Sequence, residues 1–163
     1  MAQQIPVDPA ARADDLQHDA ERDDATHAVT DDVAYLRTVL VNVVFVGPPG
    51  AGDRGWVLVD AGIFGAKRAI VAAAAARFGD GARPAAIVLT HGHFDHVGVL
   101  EDLAAEWDVP VYAHALERPY LDGSAAYPTG DPSVGGGLLA RLSPLFPTKP
   151  VDVSARLHLL PED

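Results

Sequence analysis

The sequence predicts an α/β layered domain, with helices packed on a mainly buried sheet, and three observations carry that prediction. Short β-branched apolar runs alternate with helix-forming segments in the order β-β-α-β-α-β. A 163-residue chain that is 48% hydrophobic has enough apolar surface for one real core. A cluster of three histidines and an aspartate sits at the C-terminal exit of one predicted strand, so the sheet has a chemical site to position.

Residues 1–32 carry nine acids against Arg12 and Arg22, a net charge of −7 out of −11 for the whole chain. They lack a sustained apolar period, which predicts a solvated, disordered tail. The domain is expected over 33–163, with order beginning near Val33. Val39 to Val46 is apolar on both faces, as expected of an interior strand. The "GPPGAGDRG" stretch, Gly47 to Gly55, is a loop that leads into a second strand, Trp56 to Val59, completing a hairpin. Alanine-rich Gly65 to Phe78 has high helix propensity, and Gly79 is suited to end it. Ala85 to Leu89 is the next strand. Leu100, Leu103, Ala104 and Trp107 then follow the i, i+3, i+4, i+7 spacing of an amphipathic helix, before a strand at Val109 to Tyr112. Prolines 119, 128, 132, 144, 147 and 150, with Gly135 to Gly137, predict a loop-rich insertion over 119–150 holding one short helix, Leu138 to Leu145. The chain has no internal repeat.

The chain has no cysteine, which excludes disulfides, thiolate metal sites and cysteine nucleophiles. The net charge of −11 opposes a sequence-independent grip on nucleic acid and on anionic membranes. No apolar stretch approaches the roughly 20 residues that span a bilayer, and no signal-peptide pattern is present. These features lead to the expectation of a cytoplasmic protein acting on a small molecule. A serine triad lacks its strand-to-helix elbow, because Ser124, Ser133, Ser143 and Ser154 stand outside any G-x-S-x-G context.

The cluster lies in "VLTHGHFDHVGVL", Val88 to Leu100. Residues two apart on extended backbone share a side, so His91 and His93 can aim both imidazoles at one point, with Gly92 allowing the bend without a Cβ clash. Asp95 and His96 lie just beyond the bend; with Asp95 starting the next helix, they would face a second point close by. A lone strand-end histidine is usually structural, and Asp95 alone would be an ordinary helix N-cap. Three histidines and an aspartate in H-x-H-x-D-H order point instead to metal ligation, by zinc or by iron or manganese.

"THGHFDHVG", preceded by "WVLVDAG" at Trp56 to Gly62, resembles the metallo-β-lactamase fold superfamily. "VYAHALE", Val111 to Glu117, looks like the strand-to-helix step of glyoxalase-II-like and small-molecule hydrolase members. The resemblance implies a four-layer αβ/βα sandwich of which this chain is the N-terminal half, because the family's later ligand segments have no match before the chain ends at "LLPED". It implies that His91 and His93 bind a first metal, that Asp95 and His96 bind a second, and that Asp60 holds the site loop by hydrogen bonds. His93 stands where flavodiiron relatives carry glutamate and argues against that branch. His114 and His158 are not in ligand-like segments and are read as a surface or pocket-edge residue and a strand residue.

The function implied is that of a metal-dependent hydrolase, with two zinc ions in the complete fold. A metal-bound hydroxide, oriented by Asp95, would attack an ester, thioester, lactone, lactam or phosphoester. Two other readings are a non-catalytic metal-binding or partner-binding half, and a structural half that completes another chain. The uncovered sheet face of a half-sandwich leads to an expectation of self-association or of pairing with a complementary half-fold.

Overall fold

The computed structural model describes residues 26–39, 41–128, 148 and 150–161. Among these residues, seven strands form one mixed sheet in strictly sequential order: β1 (His27–Ala28), β2 (Val33–Thr38), β3 (Val41–Val46), β4 (Val57–Val59), β5 (Ala86–Val88), β6 (Val111–Ala113) and β7 (Leu157–Leu159). β1 to β4 pair antiparallel, and β4 to β7 pair parallel. Helix α1 (Lys67–Phe78) connects β4 to β5 and helix α2 (Leu100–Trp107) connects β5 to β6. Two successive right-handed crossovers stepping in one direction across a sheet must lay both helices on the same face.

That face is the core. Leu36, Val43, Phe45, Leu58, Ile87 and Val111 on the strands are buried with Ile70, Ala74 and Phe78 of α1 and Leu100, Leu103 and Trp107 of α2. Trp56 stands at the centre, its ring stacked on Phe78 at 4.4 Å and edge-on to Trp107 at 5.8 Å. Small residues Ala73 and Ala74 let α1 approach the strands closely. Gly79 takes φ 112°, and its amide donates to the Ala75 carbonyl to close the helix. The left-handed region is open to glycine without a Cβ penalty.

The opposite face is only half-buried. The register aligns Tyr35, Val44, Val59, Val88 and Tyr112 in one row across five strands, and each keeps partial exposure. Val46, in the next row, is 37% exposed.

Three expectations need correction. Ordered chain starts before Val33: Thr26 is buried, and β1 pairs with β2 through His27, whose ring lies 4.9 Å from that of Tyr35. The acidic character of 1–32 therefore hides a strand segment at its end, where a short edge strand gains its stability from pairing and leaves no local period. Residues 1–25 lie outside the described residues.

The apolar run Val39 to Val46 is not one strand. It begins at a turn, with Val39 at φ 47° and 83% exposed, and its strand part is β3, paired back on β2. A run of β-branched and apolar residues broken only by Asn42 carries no signal for where such a turn falls. Asp95 does not start α2, which begins at Leu100. It lies in a tight turn closed by the His96 and Val97 amides on the His93 carbonyl, at 2.8 and 3.1 Å. Within 119–150, Pro119 to Leu121 belong to a short helix α3 (Arg118–Leu121). The expected helix Leu138 to Leu145 lies outside the described residues.

Gly98 fixes how the segment after the cluster seats on the sheet. Its amide donates to the Gly62 carbonyl at 2.8 Å, and a Cβ there would stand 2.3 Å from the Phe64 nitrogen and 2.5 Å from the Ile63 carbonyl carbon. Both obstacles are backbone, so relief requires the two loops to part. Gly98→Ala should cost about 3 kcal/mol, read as a lowered denaturation midpoint at unchanged m-value. A midpoint equal to that of the wild type would show that the loops are not locked together.

Candidate metal centre

β4 and β5 run parallel and both end at the site. β4 delivers Asp60 and β5 delivers Thr90 and His91, so the two loops lie side by side where the strand ladder stops. Asp60 is buried, in the left-handed region at φ 62°, a conformation that aspartate tolerates better than most side chains. Its amide bonds the Val88 carbonyl at 2.9 Å, keeping it in register with β5.

The Asp60 carboxylate gathers three donors from the neighbouring loop. The Thr90 amide donates to Oδ1 at 2.9 Å, the Thr90 hydroxyl reaches Oδ2 at 2.8 Å, and His96 Nδ1 donates to Oδ2 at 2.8 Å. Donor identity then follows by elimination. An ionised carboxylate only accepts, so His96 carries its proton on Nδ1 and presents Nε2. The single Thr90 hydroxyl proton goes to Asp60, so the 3.1 Å contact between Thr90 Oγ1 and His91 Nδ1 is a donation from His91. His91 therefore also presents Nε2. One buried aspartate thus sets the tautomer of two imidazoles, one directly and one through a threonine.

The hydrogen bond to Asp60 raises the pKa of His96, whereas burial, followed by the neighbouring imidazoles, lowers that of His91.

The structure brings His91, His93, Asp95 and His96 together. The His91 ring lies 4.7 Å from that of His93 and 4.2 Å from that of His96, and an Asp95 oxygen is 4.0 Å from His96 Nε2. These donors suit a borderline metal such as zinc in kind. In number they supply part of a centre, because no group of three His, Asp or Glu side chains closes on one ion among the described residues. His114 is exposed and caps a 3₁₀ turn (Ala115–Glu117), its Nδ1 accepting from the Leu116 amide at 3.2 Å. His158 sits on β7, stacked on Tyr112 at 5.2 Å.

Sequence reasoning missed Thr90, Glu117, Tyr120 and Tyr127. The Glu117 Oε2 accepts from the Gly92 amide at 2.8 Å. The Tyr127 ring packs 3.9 Å from that of His93 and 4.5 Å from that of Tyr120. Gly92 is needed for crowding: a Cβ there would press on Tyr120, Tyr127 and Glu117 at 3.3 to 3.4 Å. Thr90 alone left a trace, as the residue preceding His91; Glu117 and the tyrosines reach the site from distant sequence.

A mixed sheet with both helices on one face, and an H-x-H-x-D-H turn at the end of a central parallel strand, fits one half of the sandwich that the metallo-β-lactamase resemblance implies. The chain belongs to the metallo-beta-lactamase superfamily, whose family model matches residues 36–160. It is 45% identical over 128 residues to a Bacillus subtilis (strain 168) protein described as probable metallo-hydrolase YflN, a match covering 78% of this chain and 48% of that relative. Among solved structures, the metallo-beta-lactamase SMB-1 bound to 2-mercaptoethanesulfonate aligns with a TM-score of 0.59 at 21% identity, over 86% of this chain and 50% of that one. A Cronobacter sakazakii metallo-beta-lactamase aligns with a TM-score of 0.56 at 22% identity, over 85% and 46%. At such identities these structures show a shared fold. The chain spans about half the length of the relatives it matches.

Proposed function

We propose that this chain carries the metal-binding loop of a metallo-hydrolase, with His91, His93, Asp95 and His96 as ligands and zinc as the metal, iron or manganese being the alternatives. The observation that supports this reading most is the Asp60–Thr90 hub, which engages Nδ1 of both His91 and His96 and leaves their Nε2 atoms outside it, that of His96 4.0 Å from an Asp95 oxygen. A bound metal would supply Lewis acidity toward a carbonyl or phosphoryl oxygen and a nucleophile made from water. Asp95 would orient that water and accept its hydrogen bond. Asp60 and Thr90 would hold the imidazoles in place without touching substrate. The substrate class proposed is a small ester, thioester, lactone, lactam or phosphoester; the net charge of −11 disfavours nucleic acid. No described helix is long and apolar enough to cross a membrane, and a cytoplasmic location is part of the proposal. The test is hydrolysis of a panel of these five classes with and without added zinc. Zinc-dependent turnover abolished by His91→Ala supports the reading.

The second reading, a non-catalytic metal-binding half, is favoured by the lack of any three-ligand group among the described residues. It predicts zinc uptake with no turnover on any of the panel. The half-buried row Tyr35, Val44, Val59, Val88 and Tyr112 supports a further proposal, that the chain self-associates or docks a complementary half-fold through this face. Sedimentation at tens of micromolar should then show a dimer or larger species. A cooperatively folding monomer at that concentration would overturn it.

A further inference from the structure

We propose that Glu117 is a positioning residue that clamps the backbone between the first two ligand histidines, an inference that rests on the metal-site reading above. His91 and His93 converge only while the peptide between them holds one conformation, and the Gly92 amide is the group in that peptide free to be tied. Glu117 ties it at 2.8 Å, from a turn 25 residues further on that follows the neighbouring strand β6. The Tyr127 ring closes the other side, 3.9 Å from the His93 ring and 6.2 Å from that of His91. Tyr120 backs Tyr127 at 4.5 Å. Gly92 is enclosed by these three side chains closely enough that a methyl group would touch all of them. One carboxylate therefore fixes the peptide from which both histidines leave, beside the aromatic ring against which His93 rests.

Orientation of ligands by outer partners typically accounts for 10–100-fold in metal affinity. The experiment is zinc competition against a chromophoric chelator, with the amide shift of Gly92 followed by NMR in the metal-free chain. Glu117→Ala should weaken zinc binding about tenfold or more and move the Gly92 amide upfield. Glu117→Gln, whose amide oxygen can still accept from Gly92 without charge, should restore most of both. Should the alanine variant fail to fold, Glu117→Asp keeps the charge but withdraws it by one methylene, and should weaken binding in the same direction. Wild-type affinity and an unmoved Gly92 shift in Glu117→Ala would overturn the clamp. Equal weakening by Gln and Ala would also overturn it, because Glu117 would then act through charge. A wild-type chain that binds no zinc would defeat the metal-site reading instead, and the Gly92 shift would still test the clamp.

Discussion

Replacing His91 and His93 together with alanine should lower zinc affinity by at least about two orders of magnitude, roughly 3 kcal/mol, and leave the purified protein with little metal. The imidazoles lie edge-on at 4.7 Å at the exit of β5, and neither other described histidine after the cluster can replace them: His114 is turned to its own backbone and His158 stacks on Tyr112. Removing both leaves Asp95 and His96, too few donors for any ordinary zinc site. On the proposed assignment, wild-type affinity should itself be modest, because the described residues give each metal position about two of the three or more protein ligands such sites use. The fold should survive, since both histidines are half-exposed and outside the apolar core. Metal content measured by elemental analysis after gel filtration decides the matter. Equal content in wild type and double variant would defeat the assignment of the cluster.

Asp60→Ala should be the most destabilising single change at the site, by about 3–5 kcal/mol, the range for removing one partner of a buried charged network. Three donors lose their acceptor: the Thr90 amide, the Thr90 hydroxyl and His96 Nδ1. Alanine must also hold φ near 62°, which costs a further 1–2 kcal/mol or so. Against a total stability of about 5–15 kcal/mol for a domain, the loss should appear as a large fall in the denaturant midpoint. Asp60→Asn tolerates the backbone and keeps one acceptor, but its NH₂ group must face either the Thr90 amide or the His96 Nδ1–H, so it should lose about half as much. Both variants should weaken zinc binding, because His91 and His96 no longer have a fixed tautomer. Thr90→Val should uncouple His91 while sparing the His96–Asp60 bond, and so affect metal more than stability. Unchanged stability in Asp60→Ala would mean that the hub is solvent-supported and does not organise the site.

Much of the fold and the candidate ligands was legible because both are local. Leu100, Leu103, Ala104 and Trp107 mark α2 by their own spacing, and α2 runs from Leu100 to Trp107. The β3–β4 hairpin followed from two apolar runs around a loop of glycine and proline, and its register pairs Phe45 with Leu58. His91, His93, Asp95 and His96 lie within six residues, so chain geometry alone forces them near one another.

What the amino-acid sequence determined by itself was therefore the order of the central elements, from β3 to β6, and the candidate donor set, since period, propensity and spacing act over a few residues. Tertiary structure decided the rest. It placed the turn at Val39, because a mainly apolar run is satisfied by strand or by turn until β2 supplies the partner. It drew residues 26–28 out of an acidic segment by giving β1 an edge on which to pair. It brought Asp60 to Thr90 across 30 residues of chain and Glu117 to Gly92 across 25, contacts that depend on the parallel β4–β5–β6 ladder. A carboxylate gains meaning as a tautomer-setting hub or a backbone clamp only when the fold chooses which donors it meets, and that choice is made by the packing of whole strands, over distances at which sequence carries no period.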